Sequence, residues 1–385
     1  MIKILELHNF KSIKKKKFEL RNLNVLLGLN GQGKSSFIQS LLLLRQSSDC
    51  LSDGYLRLNG SEVSLGTIKD VLYQFTKNDL FIQFSFIDNN SYSMYFKYEA
   101  DSDVFTQDNE QTVASTNYLG KNNEESLFSK GFQYLEANRI EPKTIHNKSS
   151  HSIVNKNNIG KNGEYTVHYL DSRGGENIEF ENCAHKNTNT FLIQNEFGQE
   201  TKKDISLKSQ VNLWLGEISP GVNIKTTSIS GDQVKLEYEF NQPNLGKTNA
   251  FTPVNVGFGI SYGLHVITAL LAAKKGQLLI IENPESHIHP RGQAELGKLI
   301  ALVAQNDIQI VIETHSDHII NGIRVGVKEM PNLKDKTILF YFEKELSQNE
   351  QFSKITDIFI DENGTLSKYR DNLLEEWSNQ LLKLL

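Results

Sequence analysis

The sequence predicts an α/β fold in which a mixed, partly parallel sheet carries a phosphate-binding loop, beside an antiparallel β subdomain and an inserted lobe. Three observations predict it. The segment Gly28-Leu29-Asn30-Gly31-Gln32-Gly33-Lys34-Ser35 lies between a short apolar run and a helical pattern. From residue 259 onward, helical patterns alternate with apolar runs of strand length, as in a parallel sheet with helices packed on it. Between residues 99 and 205 Asn, Lys, Ser, Glu and Gly dominate, which marks an insert.

Residues 1–27 read as strands, ending in the apolar run Asn24-Val25-Leu26-Leu27. Residues 35–46 read as a helix, with Phe37, Ile38, Leu41, Leu42 and Leu44 near helical spacing. Residues 54–98 hold several short β-rich segments, among them 80–86 and 92–96. The stretch 99–205 is the least structured-looking part and has no heptad repeat, so no coiled-coil arm is expected. A helix around Trp214 (206–219) and a hairpin (222–241) follow. Helices are predicted at 261–274, 292–305 and 317–328, and strands at 278–282 and 308–313. Strands at 337–343 and 355–360, a turn at Glu362-Asn363-Gly364, and a helix through Leu373, Trp377 and Leu381 complete the chain.

The 385 residues suffice for two or three domains, or for one carrying a large insert. With 38% hydrophobic and 23% charged residues, the chain reads as globular and soluble. A net charge of -5 does not advertise a nucleic-acid partner. Cys50 and Cys183, the only cysteines, give neither a disulfide framework nor a metal spacing, which fits a reducing compartment. No apolar run approaches the ~20 residues of a membrane span. Met1 to Lys17 lacks the apolar core of a signal peptide, so a cytoplasmic location is expected.

The glycine-rich segment matches GxxxxGK[ST] in full, with a strand before it and a helix after it. Glycines let backbone N–H groups curl around phosphate oxygens, and the new helix presents further N–H groups and a positive dipole end. The expected nucleotide contacts are Asn30, Gly31, Gln32, Gly33, Lys34, Ser35 and Ser36, with Lys34 on the terminal phosphates and Ser35 on Mg²⁺. The ligand implied is ATP with magnesium. A second, acidic site is needed, and Leu278-Leu279-Ile280-Ile281-Glu282 places an acid at a strand tip.

Beyond the loop, several blocks resemble the ABC-type ATPases of the RecF/SMC/OLD group. They are Asn9-Phe10-Lys11-Ser12, Leu65-Gly66-Thr67 with Asp70-Val71-Leu72, and Asn255 to Gly263. Glu282-Asn283-Pro284-Glu285-Ser286-His287-Ile288-His289-Pro290 and Glu313-Thr314-His315-Ser316-Asp317-His318 complete the set. Within that group the chain is most similar to compact prokaryotic ATPases, often called AAA-type, that recur in phage-defence loci (Septu-like ATPases). The resemblance covers residues 1–75 and about 205–345 and implies an ABC-ATPase head; composition and pattern divide the chain into 1–98 with the loop, a polar lobe 99–205, 206–330 with the later motifs, and 331–385 as C-terminal strands and helix. It also implies roles. Ser261 and Gly263 resemble the signature segment that meets a nucleotide held by another subunit. His315 resembles the switch histidine, and 286–290 the D-loop. Glu282 would join Ser35 on magnesium.

One departure bears on catalysis. Most relatives have Asp-Glu where this chain has Glu282-Asn283. An amide cannot accept a proton at neutral pH, so Asn283 cannot be the general base. Either hydrolysis is slow and ATP acts mainly as a dimer clamp, or Glu285 or Glu282 takes the base role; the first is favoured. The Q-loop glutamine stays open among Gln46, Gln74 and Gln83.

Other residues have plainer readings. His287, His289, His315 and His318 beside two glutamates fit a zinc pattern, but their strand and helix context explains them without one. Lys14 to Lys17 reads as a solvated hairpin face rather than a nucleic-acid contact. Phe10 and Lys11 are either near the adenine or ordinary strand residues. His168, His265, Trp214 and Trp377 read as structural.

The function expected is an ATPase that forms a homodimer, or a higher oligomer, around ATP. It would serve as sensor or scaffold in prokaryotic antiviral defence with a separately encoded effector, a nuclease or toxin. The ~55 residues after 330 are too few for a usual nuclease domain. The alternative is a RecF-like DNA-maintenance ATPase that binds nucleic acid itself. A small-molecule P-loop kinase is disfavoured, because such enzymes do not use the later motifs.

Overall fold

Alternating apolar and polar residues from Ile2 to Glu19 fold into a hairpin. β1 (Ile2–Phe10) and β2 (Ile13–Glu19) pair antiparallel, with Phe10 opposite Ile13. The computed structural model describes residues 1–385 except 77, 88–90, 109–124, 196–197, 243, 245, 370–382 and 385. They divide into two units: Met1–Phe132 with Asp335–Ile360 and Leu366–Leu385, and Gln133–Lys334 with Asp361–Thr365.

In the first unit, β3 (Leu23–Leu27) is buried at every position and leads through the loop into α1 (Lys34–Gln46). β4 (Tyr55–Arg57) and α2 (Ile68–Val71) follow. β5 (Leu80–Phe86) and β6 (Ser91–Phe96) extend the first hairpin into a four-stranded sheet of order β2-β1-β5-β6. β7 (Val104–Thr106) pairs antiparallel with β4. The unit ends with β17 (Thr337–Leu346), parallel to β3, and β18 (Gln351–Ile358), antiparallel to β17. Its core is aromatic: the Phe18 ring lies 4.7 Å from Phe37 and 5.2 Å from Phe340.

The second unit begins with β8 (Gln133–Leu135) and β9 (Ile145–Asn147), followed by α3 (Thr166–Arg173). β10 (Thr190–Asn195) and β11 (Gly198–Lys203) form a two-stranded hairpin before α4 (Leu207–Leu215). β12 (Val222–Ser228), β13 (Gln233–Gln242) and β14 (Gly246–Lys247) form an antiparallel sheet that β9 joins. Then come α5 (Phe258–Leu271), β15 (Leu278–Glu282), α6 (Pro290–Ala304), β16 (Gln309–Glu313) and α7 (Asp317–Glu329). β15 runs parallel to both β16 and β8. The alternation read from residue 259 is thus a parallel pair joined by α6, with α5 before it and α7 after it.

The structure differs from the sequence-based expectation in several element bounds and in the polar stretch; the strand expected at 355–360, for example, is β18 at Gln351–Ile358. The helix expected from 261 starts at Phe258, because Gly257 supplies the extended cap conformation. The polar stretch 99–205 contains β8, β9, α3 and the β10–β11 hairpin. Its polar side chains bond to backbone, as Gln133 does to Gly160 and Asn162 to Asn138, so polarity there reflects satisfied loop backbone. The expected final helix lies outside the described residues.

Candidate functional site

The loop of the first unit is shaped by close approach. Gly28 has φ +131, and a Cβ there would sit 2.3 Å from the Phe342 carbonyl oxygen, so only glycine fits. Gly33, at φ +103, is the cap of α1, and a Cβ there would lie 2.3 Å from Ser353 Oγ and 2.4 Å from Ser12 Oγ. The cap residue Gly33 brings no side chain to α1 and no acid stands in its first turn, so its N–H groups and dipole favour an anion. Lys34 is 3% exposed and donates to the Gly28 carbonyl at 2.7 Å and the Leu29 carbonyl at 2.9 Å. Its cation is therefore held across the loop. Asn30, Gly31 and Ser35 are exposed, Gln32 and Gly33 half-buried, and Ser36 buried.

A cavity of about 340 Å³ adjoins Gly31, walled by Lys11, Asp70 and Tyr73 on one side and by Lys344, Phe352 and Ser353 on another. Lys11 donates to Gln39 at 2.6 Å, and burial lowers its pKa against the opposing pull of Asp70. Phe10 is a fully buried strand residue. Of the three glutamines, Gln46 is committed to the Arg57 carbonyl and the Val63 amide, Gln83 sits on β5, and Gln74 lines this cavity. Within the basic run, Lys14 pairs with Glu350, just before β18, and Lys16 with Asp357 of β18, each at 2.6 Å, so half of it is engaged in ion pairs.

In the second unit, four buried apolar residues of β15 end in Glu282, opposite Glu313 of β16. The C-terminal ends of these parallel strands bring Glu282, Asn283, Glu285 and His315 together. Tyr134 donates its hydroxyl to Glu282 Oε1 at 2.8 Å, and the Ala137 amide reaches Oε2 at 3.3 Å. Burial and the Glu282 charge push the Tyr134 phenol far up, so it stays a donor. A carboxylate offers about four acceptor positions, so two donors leave room for a magnesium ion or its waters. Hard oxygen donors fit that ion.

Arg139, only 1% exposed, donates to the carbonyls of Glu282 and Asn283 and so fixes the strand end. Burial lowers its pKa to about 10, so the guanidinium remains charged. Arg139→Met is expected to lower stability by roughly 2–4 kcal/mol, because two buried carbonyls lose charged donors; chemical denaturation measures it. Asn283 stands at φ +44, and its Oδ1 is buried with no hydrogen-bond partner among the described residues. Glu285 accepts from the Thr314 hydroxyl at 2.8 Å and the His315 amide at 2.9 Å. His315 is exposed just past β16.

Ser261 and Gly263 lie inside α5 rather than at its start. Ser261 is 4% exposed with its hydroxyl 3.4 Å from that of Tyr238, and Gly263 is buried beside Ile218. The exposed large apolar residues near the helix start are Val254 and Phe258, with His287 near Phe258 and Tyr262. His289 caps α6 by accepting from the Arg291 amide. Among the described residues no cluster of three or more His, Cys, Asp or Glu is arranged for a metal ion. His265 is buried against Thr166, His168 accepts from the Ser149 amide, and Trp214 donates to the Cys183 carbonyl.

Sequence reasoning missed Ser353, Tyr134 and Arg139. The apolar run Phe132-Gln133-Tyr134-Leu135 inside the polar stretch was the one signal for a strand delivering the last two.

No curated protein matches the chain. An SMC head bound to the C-winged helix domain of ScpA is 13% identical with a TM-score of 0.51, covering 92% of this chain and 98% of that one. The SMC head domain from Thermotoga maritima is 10% identical, with a TM-score of 0.45 over 92% and 98% of the two chains. The Pyrococcus furiosus SMC head with an extended coiled coil, bound to the C-terminal domain of ScpA, is 13% identical, with a TM-score of 0.48 over 100% and 99%. At such identities the likeness concerns fold alone, and the first of the three carries it. A family described as "Protein of unknown function (DUF3696)" matches residues 334–384. The family described as "AAA domain, putative AbiEii toxin, Type IV TA system" matches residues 23–321, from the strand before the loop into α7. With most of its length inside that match and a mixed α/β fold of the SMC-head kind, the chain belongs to this family of AAA-type ATPases.

Proposed function

We propose that the chain binds MgATP on the loop at 28–36, dimerises around it and hydrolyses it slowly. The loop geometry carries this reading: an α1 whose cap residue is a glycine, a buried Lys34 held across the loop, and a nucleoside-sized cavity beside Gly31. Lys34 and the loop amides hold the phosphates, and Ser35 is the oxygen donor proposed for magnesium on the loop. Magnesium, when bound, neutralises phosphate charge. Asn283 offers no base, and both oxygens of Glu285 are already engaged, which supports slow turnover. His315 stays the proposed γ-phosphate contact.

Dimerisation is proposed through the start of α5. Gly257 carries no side-chain cap, and Val254 and Phe258 stand 65% and 54% exposed beside it. This moves the proposed contact from Ser261 and Gly263 to the residues just before them. The biological setting proposed is antiviral defence as sensor or scaffold, with a separately encoded nuclease or toxin as effector. The family's description names a toxin of a toxin–antitoxin system, which supports action with a second gene product.

Sizing with and without MgATP tests the dimer. ATP is expected to shift the protein to at least twice its mass, because ATP gains contacts only in the closed state. A monomer in both conditions at concentrations above roughly 10 µM sinks the clamp reading.

A further inference from the structure

The hairpin of β17 and β18 lies in the segment whose family is described as of unknown function. We propose that this hairpin completes the nucleotide site, with Ser353 positioning the phosphate loop and Phe352 meeting the base. The inference rests on the reading that the loop binds a nucleoside triphosphate.

β17 runs alongside β3 in parallel, with Tyr341 opposite Leu27, and so reaches the loop at Phe342 and Gly28. β18 then returns Ser353 opposite Lys344. Ser353 is 7% exposed, and its amide donates to the Ser12 carbonyl at 2.8 Å. Its hydroxyl donates to the Gln32 carbonyl at 2.6 Å and lies 2.7 Å from Ser12 Oγ. A carbonyl only accepts and a hydroxyl has one proton, so Ser12 donates in turn to Ser353. In a trans peptide the C=O and the next N–H point opposite ways. Holding the Gln32 carbonyl toward β18 therefore turns the Gly33 amide away from β18, to the side on which an anion is met. Ser353 is a positioning residue: it aims an amide and need not touch the phosphate.

Phe352, next in the strand, faces the cavity beside Gly31 together with Lys344 and Gln351. About 340 Å³ accommodates a nucleoside, and an aromatic wall suits the π-face of a base. The hairpin thus serves the two ends of one ligand with adjacent residues.

The test separates the two ends by calorimetric titration of the full chain with MgATP and with magnesium tripolyphosphate, which lacks a base. Ser353→Ala is expected to weaken both ligands by the same factor, about tenfold, and Ser353→Thr, which keeps the hydroxyl, to bind both like the wild type. Phe352→Ala is expected to weaken ATP about tenfold and leave tripolyphosphate unchanged. Wild-type affinities in Ser353→Ala, or equal losses for both ligands in Phe352→Ala, overturn the inference. A wild-type protein that binds neither ligand refutes the nucleotide reading beneath it instead.

Discussion

Lys34→Ala is expected to weaken ATP binding at least 100-fold, about 3 kcal/mol, and to remove ATP-driven dimerisation with it. The side chain is 3% exposed and is already held over the loop by the Gly28 and Leu29 carbonyls. A cation preorganised there meets a triphosphate at little ordering cost. The loop amides and the α1 dipole remain in the variant, so residual binding is expected at high ligand concentration. Lys34→Met serves as a volume-matched control, since it fills the same buried space without charge. Calorimetric titration and sizing measure the two effects. Wild-type ATP affinity in either variant would undo the loop assignment.

The second large effect is a gain. Asn283→Glu is expected to raise kcat by ~10²-fold, because it restores a proton acceptor to a strand end that lacks one. The backbone opposes the change. Asn283 sits at φ +44, where asparagine is at ease and glutamate costs about 1 kcal/mol, so the variant should melt a few degrees lower. Its new carboxylate would follow Glu282 directly in the chain and start from the buried position of the present Oδ1, with the Arg139 guanidinium on the Asn283 carbonyl as the opposing charge. Like charges and burial raise a carboxyl pKa, which favours a base that works near neutrality. The gain should therefore appear as pH rises through that raised pKa and vanish below it. Phosphate-release assays across pH measure this. Unchanged turnover would mean that another residue already acts as base. Since Glu285 is engaged by Thr314 and His315, Glu282 would then be the one to test.

The parts of the molecule legible in the sequence are those whose physics is local. The loop could be read because its glycines, lysine and serine are contiguous, between a strand and a helix that announce themselves by period. β15 and β16 were legible for the same reason: apolar runs each ending in an acid. Element ends were less so, since Gly257 caps α5 through a backbone conformation that residue identity does not specify.

Tertiary structure decided which residues serve these elements. Ser353 bonds a carbonyl 321 positions away, and Tyr134 reaches a carboxylate 148 positions away. Such pairings leave no period and no spacing, because they follow from which strands lie side by side. Arg139 looked like one more polar residue in a polar stretch, yet it is buried on the two carbonyls that hold the acidic strand end. Composition reports how polar a segment is, whereas only the fold determines whether its polar groups meet water or one another. The sequence by itself determined that a phosphate-binding loop and an acidic strand end exist. The tertiary structure decided what holds each in place, since hydrogen bonds between distant residues are settled by packing and not by order along the chain.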